Sequence, residues 1–349
     1  MKILMSSCLF YPSLGGSETN AEILAREFTR LGHEVKVTTQ TPRINIAVDG
    51  VEFPFEVIRK PSLLKLLTLV YWCDIYFHNG IILKNFWPLL IIRRPWIIRH
   101  QSWIRCVDGT TTTGIGGNSS GWLVRLKHFF VRFSISISIS QAIADHLQHP
   151  STVISNPYRD DLFRIMPGIS RTKELVFLGR LVSEKGVELL LEALVELKKC
   201  GLKPQLTVVG NGSEYLKLRQ KTTTLELNKQ VTYVGAKVGK ELVQILNEHK
   251  IMVVPSLYDE PFGVVALEGI ACGCVVVGSE GGGLKDAIGS CGVTFPNGDV
   301  NALSQVLTDL LTNPDKLSIY RKNAESHLSH HKKAVVAQAY LQVFEEAIS

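Results

Sequence analysis

Two glutamates, Glu260 and Glu268, flank a predicted strand-to-helix turn in the second half of the chain. The apolar run just before Glu260 predicts a buried parallel strand, and the helical alternation of residues 264–271 predicts a helix. Pro261 and Gly263 are unfavourable in the middle of a helix, so they mark the turn itself. A helix N-terminus presents free N–H groups to phosphate oxygens, and carboxylates accept protons from hydroxyl groups. The stretch therefore predicts a site for an anionic ligand with many hydroxyls, and an ordinary turn with two solvated glutamates is the alternative.

Two cations in another loop could supply the positive charge that such a ligand needs. Arg180 and Lys185 lie five residues apart in a glycine-bounded loop, after a predicted strand at 174–178 and before a predicted helix at 187–199. A departing diphosphate carries about two to three negative charges and needs fixed positive partners as its bond breaks. Arginine offers a planar fork to phosphate oxygens, and lysine offers a point charge. We therefore expect this loop to bind a diphosphate, with surface charges in an ordinary loop as the alternative.

The N-terminal segment indicates the fold that would place such loops. Residues 2–9 predict a strand, 19–31 an amphipathic helix and 35–39 a second strand, which together form a βαβ unit of a parallel sheet covered by helices. Gly15 and Gly16 lie in the loop at the carboxyl end of the first strand, where ligands bind in doubly wound sheets. Glycines at that place let backbone N–H groups approach a phosphate closely.

Other predicted strands also end in small or polar residues. His100 ends a strand at 96–100, and His78 ends an earlier one, although a lone histidine is usually structural. Gly210 opens a Gly-x-Gly turn after a strand, and Gly235 ends the strand that follows it. Alone, each of these signals is weak.

Length and composition predict a two-domain globular protein. The chain has 349 residues, 45% of them hydrophobic and 20% charged, and no run approaches 18 uncharged apolar residues, so we predict no transmembrane helix. The N-terminus has no Ala-x-Ala-like cleavage site, and the seven scattered cysteines form no Cys-x-x-Cys pair, which predicts thiols in a reducing cytoplasm. We expect neither zinc, disulfides nor a nucleic-acid partner.

The net charge is concentrated in the first half. Residues 1–155 hold 16 Lys/Arg and 10 Asp/Glu, giving +6, whereas residues 156–349 hold 22 of each. A basic half favours an acidic partner there, such as a phosphorylated acceptor or an anionic membrane surface. A solvated basic face is the alternative.

The segment from Ile58 to Trp103 is strongly apolar with basic residues between. It predicts an amphipathic helix from Leu63 with Arg59, Lys60 and Lys65 at its start, and another helix at 87–92. The mixture of aromatic and basic residues suits a surface that touches lipid, but a core-facing helix is the interpretation we favour. Residues 108–121 are rich in Gly, Ser and Thr, which predicts a mobile loop.

Two stretches carry a resemblance to a known family. Glu260 and Glu268, with Pro-Phe-Gly between them, strongly resemble the Glu-x7-Glu motif of retaining GT-B glycosyltransferases of the GT4 family. The loop from Gly179 to Gly186 resembles that family's Gly-Arg-x-x-x-x-Lys-Gly loop, and Gly15 to Glu18 resembles its Gly-Gly-x-Glu loop. The family often has Gly-Gly-x-Pro-Glu where this chain has Leu284-Lys285-Asp286 after three glycines, which is a departure.

The resemblance implies an α/β fold of the GT-B type, with two Rossmann-like doubly wound domains that face each other across a cleft. Residues 1–155 would form the acceptor-side domain and residues 156–330 the donor-binding domain. A helix at 331–349 would pack back on the first domain. A long loop at 108–121 would cover the acceptor.

The resemblance also implies a role for each site residue. Arg180 and Lys185 would stabilise the departing diphosphate, Glu260 would hold sugar hydroxyls, Glu268 would hold ribose hydroxyls, and His100 would orient the donor sugar, with His78 as its rival. The remaining expected donor contacts are Gly15, Gly16, Gly179, Gly210, Gly235, Phe262, Gly263 and Val264. The loop at 281–284 would contact sugar or phosphate.

The implied reaction is retaining, metal-independent transfer of a hexose-type sugar from a nucleotide-diphosphate sugar, with UDP favoured, to a hydroxyl of a glycan or lipid-linked acceptor. Such a reaction belongs to polysaccharide or glycoconjugate synthesis, in the cytoplasm or peripherally at the inner membrane face. We expect no cofactor besides the nucleotide sugar as co-substrate. A sugar-nucleotide epimerase of the same architecture and a non-catalytic nucleotide-sugar-binding relative are the alternatives. The epimerase would need acid/base residues over the sugar from the first domain, and the relative would lack Arg180, Lys185 or Glu260.

Overall fold

The structure, a computed structural model, describes residues 1–13, 15–42, 52–104, 122–147 and 149–349. The described chain divides into two compact units. Unit 1 comprises Met1–Pro157 together with Lys333–Ser349, and unit 2 comprises Tyr158–Lys332. The division after Pro157 lies two residues beyond the expected boundary at 155. The predicted loop at 108–121 lies outside the described residues.

Unit 1 alternates strands and helices along the chain. Its elements in order are β1 (Lys2–Ser7), α1 (Gly16–Arg30), β2 (Glu34–Thr39), β3 (Glu56–Arg59), α2 (Leu63–Trp72), β4 (Ile75–Asn79), β5 (Trp96–His100), α3 (Trp122–Val131), β6 (Ile135–Ser138), α4 (Gln141–His146) and β7 (Ser151–Val153). Within the described ranges these strands form one parallel sheet in the order β3-β2-β1-β4-β5-β6-β7.

Alternate residues of β1 explain why helices cover both faces of this sheet. Ile3 and Met5 point into a core shared with α1, whereas Leu4 points into a second core that contains Leu69 of α2. Successive side chains of a strand face opposite sides, so a strand buried on both sides must be apolar at nearly every position. All six residues of β1 except Lys2 are buried.

Unit 2 repeats the same design. Its elements are β8 (Lys173–Leu178), α5 (Val187–Lys199), β9 (Leu206–Val209), α6 (Tyr215–Thr224), β10 (Val231–Gly235), α7 (Gly239–Glu248), β11 (His249–Val254), α8 (Val264–Ala271), β12 (Val275–Ser279), α9 (Leu284–Ile288), β13 (Gly292–Phe295), α10 (Val300–Thr312), α11 (Pro314–Lys322) and α12 (Ala324–Ser329). The strands run parallel in the order β10-β9-β8-β11-β12-β13.

Both sheets have the strand order of Rossmann folds. In each, the first and fourth strands are neighbours, so the chain leaves the two strands toward opposite edges of the sheet. The crevice outside the carboxyl ends of those two strands is where ligands bind in open α/β sheets. In unit 2 the two strands are β8 and β11, with Leu175 opposite Ile251 and Val176 opposite Met252. The predicted pair of doubly wound Rossmann-like domains is confirmed.

The last helix, α13 (Lys333–Ile348), belongs to unit 1. Its Tyr340 and Phe344 join an aromatic cluster with Phe28 of α1 and Phe77 of β4, with ring centroids 5.3 to 6.4 Å apart. These rings are fully buried, so the helix completes the core on one face of the unit 1 sheet.

Three expectations about local structure were wrong. Residues 87–92 do not form an α-helix; a short 3₁₀ helix spans Trp87–Leu90, with Pro88 in its first turn. Arg59, expected at the start of α2, instead ends β3. The helix itself begins at Leu63 as predicted, and the hydroxyl of its N-cap Ser62 accepts a hydrogen bond from the Lys65 N–H at 3.3 Å. The predicted loop at 281–284 ends at Gly283, since Leu284 starts α9.

Candidate active site

The loops after β8 and β11 meet at the crevice of unit 2. Arg180 and Lys185 lie in the first loop, and Tyr258 and Glu260 lie in the second. The Leu257 N–H donates to the Glu184 carbonyl at 2.9 Å, so the two loops are joined directly through their backbones. The sequence placed each loop after a strand, and the sheet order brings the two together.

Gly186 allows this close approach. Its φ of +69° is in the left-handed region, and a Cβ at this position would lie 1.8 Å from the carbonyl oxygen of Pro255. Any side chain would therefore push the two loops apart as well as strain the backbone. The glycine that the motif places after Lys185 is thus needed for the geometry of the site.

Glu260 and three neighbouring side chains form one hydrogen-bonded cluster. Lys185 Nζ lies 2.6 Å from Glu260 Oε1, which also accepts from the Ser256 hydroxyl at 2.7 Å. The Tyr258 hydroxyl donates to Glu260 Oε2 at 2.6 Å and accepts from Lys185 Nζ at 3.0 Å. The Lys185 and Glu260 side chains are 19% and 8% exposed, so the pair is mostly shielded from water.

The hydroxyl of Tyr258 stays protonated in this cluster. Burial, and then the neighbouring Glu260 carboxylate, raise the pKa of Tyr258 well above its usual range. It therefore remains a hydrogen-bond donor to Glu260 at neutral pH. Sequence reasoning assigned no role to Tyr258 or Ser256. The available signal was their position, two and four residues before Glu260 at the end of a strand.

Arg180 differs from Lys185 in its surroundings. Its side chain is 70% exposed and donates one hydrogen bond of 3.3 Å to Glu184 Oε1. The crevice thus contains one cation fixed by a carboxylate oxygen and a hydroxyl, and a second cation that extends into solvent.

The glycine loop at 281–283 supports the Glu260 backbone. The Gly283 N–H donates to the Glu260 carbonyl at 2.7 Å, and the Gly281 N–H donates to Asn297 Oδ1 at 2.9 Å. Asn297 Nδ2 in turn lies 3.4 Å from Asp259 Oδ1. The loop therefore holds the Glu260 backbone directly, and through Asn297 it also supports Asp259, the residue before Glu260. Asn297 is a supporting residue that the sequence did not indicate.

The turn into α8 has the expected form. Gly263 is the N-cap with φ +97°, and Val264 is the first helical residue. Phe262 is fully buried, with its ring centroid 5.8 Å from that of His331, so its side chain anchors the turn inside unit 2. Burial raises the pKa of Glu268, on α8, to about 8, against a weaker opposing effect of Arg159. Glu268 is therefore largely protonated at neutral pH in this structure, although the residue keeps some solvent exposure.

Three of the predicted glycines bring strand ends together. The Gly179 N–H donates to the Val209 carbonyl at 3.0 Å, and the Gly210 N–H donates to the Gly235 carbonyl at 2.9 Å. A Cβ on Gly210 would lie 1.8 Å from the Gly179 carbonyl oxygen. These residues form the packed floor at the carboxyl ends of β8, β9 and β10, and their contact with a donor stays a prediction.

The predicted residues of unit 1 lie at strand ends of its own sheet. Gly15 is the N-cap of α1 and Gly16 its first residue, next to the carboxyl end of β1. His100 is buried at the end of β5 with Nε2 3.1 Å from Ser136 Oγ, and burial lowers its pKa to about 3, so its ring is neutral. His78 is fully buried at β4, and burial lowers its pKa to about 3 as well. The described geometry does not distinguish the two as candidates.

Two kinds of feature are absent from the described residues. No group of three or more His, Cys, Asp or Glu side chains is arranged to hold a metal ion in the described ranges. No helix in the same part of the chain is long and apolar enough to cross a membrane.

Solved structures with this architecture define the class. The chain superposes on Anabaena HepE in complex with UDP with a TM-score of 0.80 and 19% identity, covering 99% of this chain and 100% of that one. It superposes on sucrose-phosphate synthase from Thermosynechococcus elongatus with a TM-score of 0.80 and 20% identity, covering 99% and 98%. The fold is therefore that of the GT-B glycosyltransferases.

Sequence relatives define the family. Residues 160–327, nearly all of unit 2, match the family model described as Glycosyl transferases group 1. A D-inositol 3-phosphate glycosyltransferase of Corynebacterium jeikeium is 32% identical over 50% of this chain and 44% of that protein. A glycogen synthase of Mycobacterium tuberculosis is 31% identical over 70% of this chain and 60% of that protein. Over unit 2 the resemblance to GT4-type glycosyltransferases that the motifs predicted is confirmed, and the chain spans less than two thirds of the length of these two relatives.

Proposed function

We propose that the chain is a retaining glycosyltransferase. It moves a hexose-type sugar from a nucleotide-diphosphate sugar, a UDP-sugar, to a hydroxyl of a glycan or lipid-linked acceptor in glycoconjugate or polysaccharide synthesis. Unit 2 would bind the donor and unit 1 the acceptor. We propose the cytoplasm, with peripheral contact at the inner membrane face, as its location.

The observation that carries this proposal is the Lys185–Glu260 pair at the crevice of unit 2. Cations and carboxylates fixed at the carboxyl ends of β8 and β11 suit a ligand that is anionic at one end and rich in hydroxyls at the other. Lys185 and the exposed Arg180 would neutralise the diphosphate as it leaves. Glu260 would accept hydrogen bonds from sugar hydroxyls, and Glu268 from the ribose.

The proposed reaction balances without a carboxylate nucleophile. The bond between the anomeric carbon and the diphosphate oxygen breaks, and the diphosphate leaves with the electron pair. The acceptor hydroxyl attacks the same face of the sugar, and its proton passes to the departing diphosphate. Positive charge fixed before the reaction stabilises this transition state most, because no reorganisation is needed as charge develops.

The preference for UDP is supported by the relatives. HepE has been solved in complex with UDP, with UDP and glucose, and with UDP-glucose. We propose that no divalent metal is required, since Arg180 and Lys185 supply the charge that a metal would otherwise provide.

Calorimetric titration of UDP, GDP and ADP, with EDTA and separately with Mg²⁺, tests the proposal first. We expect UDP to bind, with the same affinity in both conditions. Release of UDP from UDP-glucose then measures turnover in the presence of candidate acceptors. Each of the variants Arg180→Ala and Lys185→Ala should lower turnover by about 10² to 10³-fold, the usual effect of removing one group that stabilises transition-state charge. Lys199→Ala, which removes an exposed lysine on α5, is the control and should be fully active.

Folded protein that binds none of the three nucleotides would contradict the assignment of the donor site to unit 2. Turnover unchanged in both cation variants would contradict the diphosphate role. UDP-glucose converted to an isomer, with no sugar transferred, would favour the epimerase.

A further inference from the structure

One surface of unit 1 exposes large apolar side chains that the proposed reaction does not use. The groove between the 3₁₀ turn Trp87–Leu90 and helix α3 has a volume of about 540 Å³. Phe86, Leu89, Trp96 and Phe130 form its apolar wall. Leu90, Phe129 and Phe133 line its rim and are 72%, 52% and 67% exposed, and the neighbouring Ile91 is 68% exposed. We name Leu90, Ile91, Phe129 and Phe133 the apolar rim.

Helix α2 extends this apolar surface. Its Leu66, Leu69 and Val70 are buried, whereas Leu64 and Tyr71, seven residues apart on another face, are exposed. The helix therefore turns one apolar face to the core and leaves a second one to solvent. The core-facing interpretation of the sequence describes one side of this helix, and its other side is exposed to solvent.

The two described segments that form the groove carry charges of one sign. Residues 83–104 and 122–133, which form the groove, contain no Asp or Glu. Arg93 and Arg94 are part of the groove wall, and Arg94 Nη2 is fixed by a hydrogen bond of 2.8 Å to the Tyr71 carbonyl. The same two segments also carry Lys84, Arg125, Lys127 and Arg132.

This combination of charge and exposure selects one kind of partner. Exposed apolar patches on monomers usually mark a surface that something covers. A second copy of the chain would bring identical cations together across a two-fold interface, where like charges repel. An anionic bilayer instead offers phosphates to the arginines and hydrocarbon to the rings, as interfacial segments with basic and aromatic residues require.

We propose that this surface docks unit 1 on an anionic phospholipid bilayer. The apolar rim enters the boundary between headgroups and acyl chains, and Arg93 and Arg94 bind lipid phosphates beside it. The groove gives the tip of an acyl chain or the inserted rings room to pack. This docking uses only residues of unit 1, so it is independent of nucleotide binding by unit 2 and can fail or succeed separately.

Flotation of the full chain with lipid vesicles tests the proposal. We expect binding to vesicles of phosphatidylcholine mixed with phosphatidylglycerol and little binding to phosphatidylcholine alone. Leu90→Ser combined with Phe133→Ser should lower the partition coefficient at least about tenfold, because two large apolar side chains are lost from the membrane. Arg93→Ser should lower it about fivefold, the usual effect of one basic residue near an anionic surface. The matched control is Leu216→Ser with Ile319→Ser, two exposed apolar residues of unit 2, which should bind as the unaltered protein does.

The dependence of vesicle binding on salt concentration is a second measurement, and it needs no variant. Raising the salt from about 0.1 M to about 1 M shortens the Debye length from about 10 Å to about 3 Å and should weaken vesicle binding several-fold. Thermal unfolding verifies that each variant is folded. We expect the variants to fold, because the replaced side chains are exposed. The proposal would be overturned if the chain did not bind anionic vesicles, or if the control pair lowered vesicle binding as much as the rim variant does. It would also be overturned if the chain self-associated without vesicles and the rim variant abolished that association, because a second copy would then cover the surface.

Discussion

The hydroxyl of Tyr258 is the most direct place to test the geometry around Glu260. Tyr258→Phe removes the donor 2.6 Å from Glu260 Oε2 and the acceptor 3.0 Å from Lys185 Nζ, and it leaves the ring in place under the Lys185 ammonium group. A hydrogen bond to a charged group contributes about 1.5–3 kcal/mol to stability. Because Glu260 is buried, water replaces the lost donor poorly. We therefore expect a loss in the upper half of that range, about 2–3 kcal/mol.

Two measurements separate the structural effect from the functional one. For a unit of this size the loss corresponds to a fall in Tm of about 4–12 °C, measured by calorimetry. UDP affinity should be unchanged within about twofold, since the proposed role of Glu260 concerns the sugar, whereas kcat/KM for UDP-glucose should fall roughly tenfold as the carboxylate loses its fixed position.

A hydroxyl removed elsewhere is the control. The hydroxyl of Tyr76, in unit 1, donates to the Asn85 carbonyl at 2.8 Å, which is a neutral acceptor. Because the Asn85 carbonyl is buried, Tyr76→Phe should also destabilise the protein, by about 1–3 kcal/mol, but it should leave turnover intact. If Tyr258→Phe instead melts at the unaltered temperature and turns over UDP-glucose normally, the hydroxyl does not hold Glu260, and the argument that the cluster is organised in advance of substrate is refuted.

Two further predictions concern other parts of unit 2. Because the pKa of Glu268 is raised to about 8, the folded protein keeps a proton that the unfolded chain releases above about pH 4.5, so stability should decline as pH rises from about 5 to 8. Glu268→Gln should remove that decline, measured by equilibrium unfolding across this pH range. Gly186→Ala should destabilise unit 2 by well over the roughly 1–2 kcal/mol cost of a left-handed alanine, since its Cβ would meet the Pro255 carbonyl. Gly201→Ala, at φ +82° with open space around the Cβ, should show only the smaller cost in the same Tm measurement.

The sequence was sufficient for the fold class because its local patterns agree with one another. Apolar runs followed by glycine-bounded loops and amphipathic helices recur along the chain, and each βαβ unit can be closed in only one hand. The order of strands was not accessible in the same way. The adjacency of β8 and β11, which are separated by two other strands in the chain, follows from packing of distant segments. That adjacency is what brings Lys185 to Glu260.

The supporting residues were missed for a physical reason. Ser256, Tyr258 and Asn297 are common loop residues, and nothing in their spacing distinguishes a structural hydroxyl or amide from one that fixes a carboxylate. Their roles depend on hydrogen bonds of 2.6 to 2.9 Å between groups in different parts of the loops, which periodicity does not specify. The exposed side of α2 was underestimated for a related reason, because leucine at helical spacing predicts a buried face without saying how many faces are buried.

The different surroundings of the two cations have a consequence for the proposed reaction. Lys185 is already neutralised by Glu260, at 2.6 Å, so a diphosphate that recruits it must share the ammonium group with that carboxylate. The cost of such sharing is limited, because an ammonium group has three donors and Tyr258 and Glu260 occupy two of them. Arg180 has no comparable constraint, but its exposed side chain must lose rotamer freedom when it binds phosphate. Lys185 would therefore supply a cation at a fixed position, and Arg180 would supply most of the positive charge added when the diphosphate binds. With the two roles divided in this way, a carboxylate at the centre of the site is compatible with the proposed anionic leaving group.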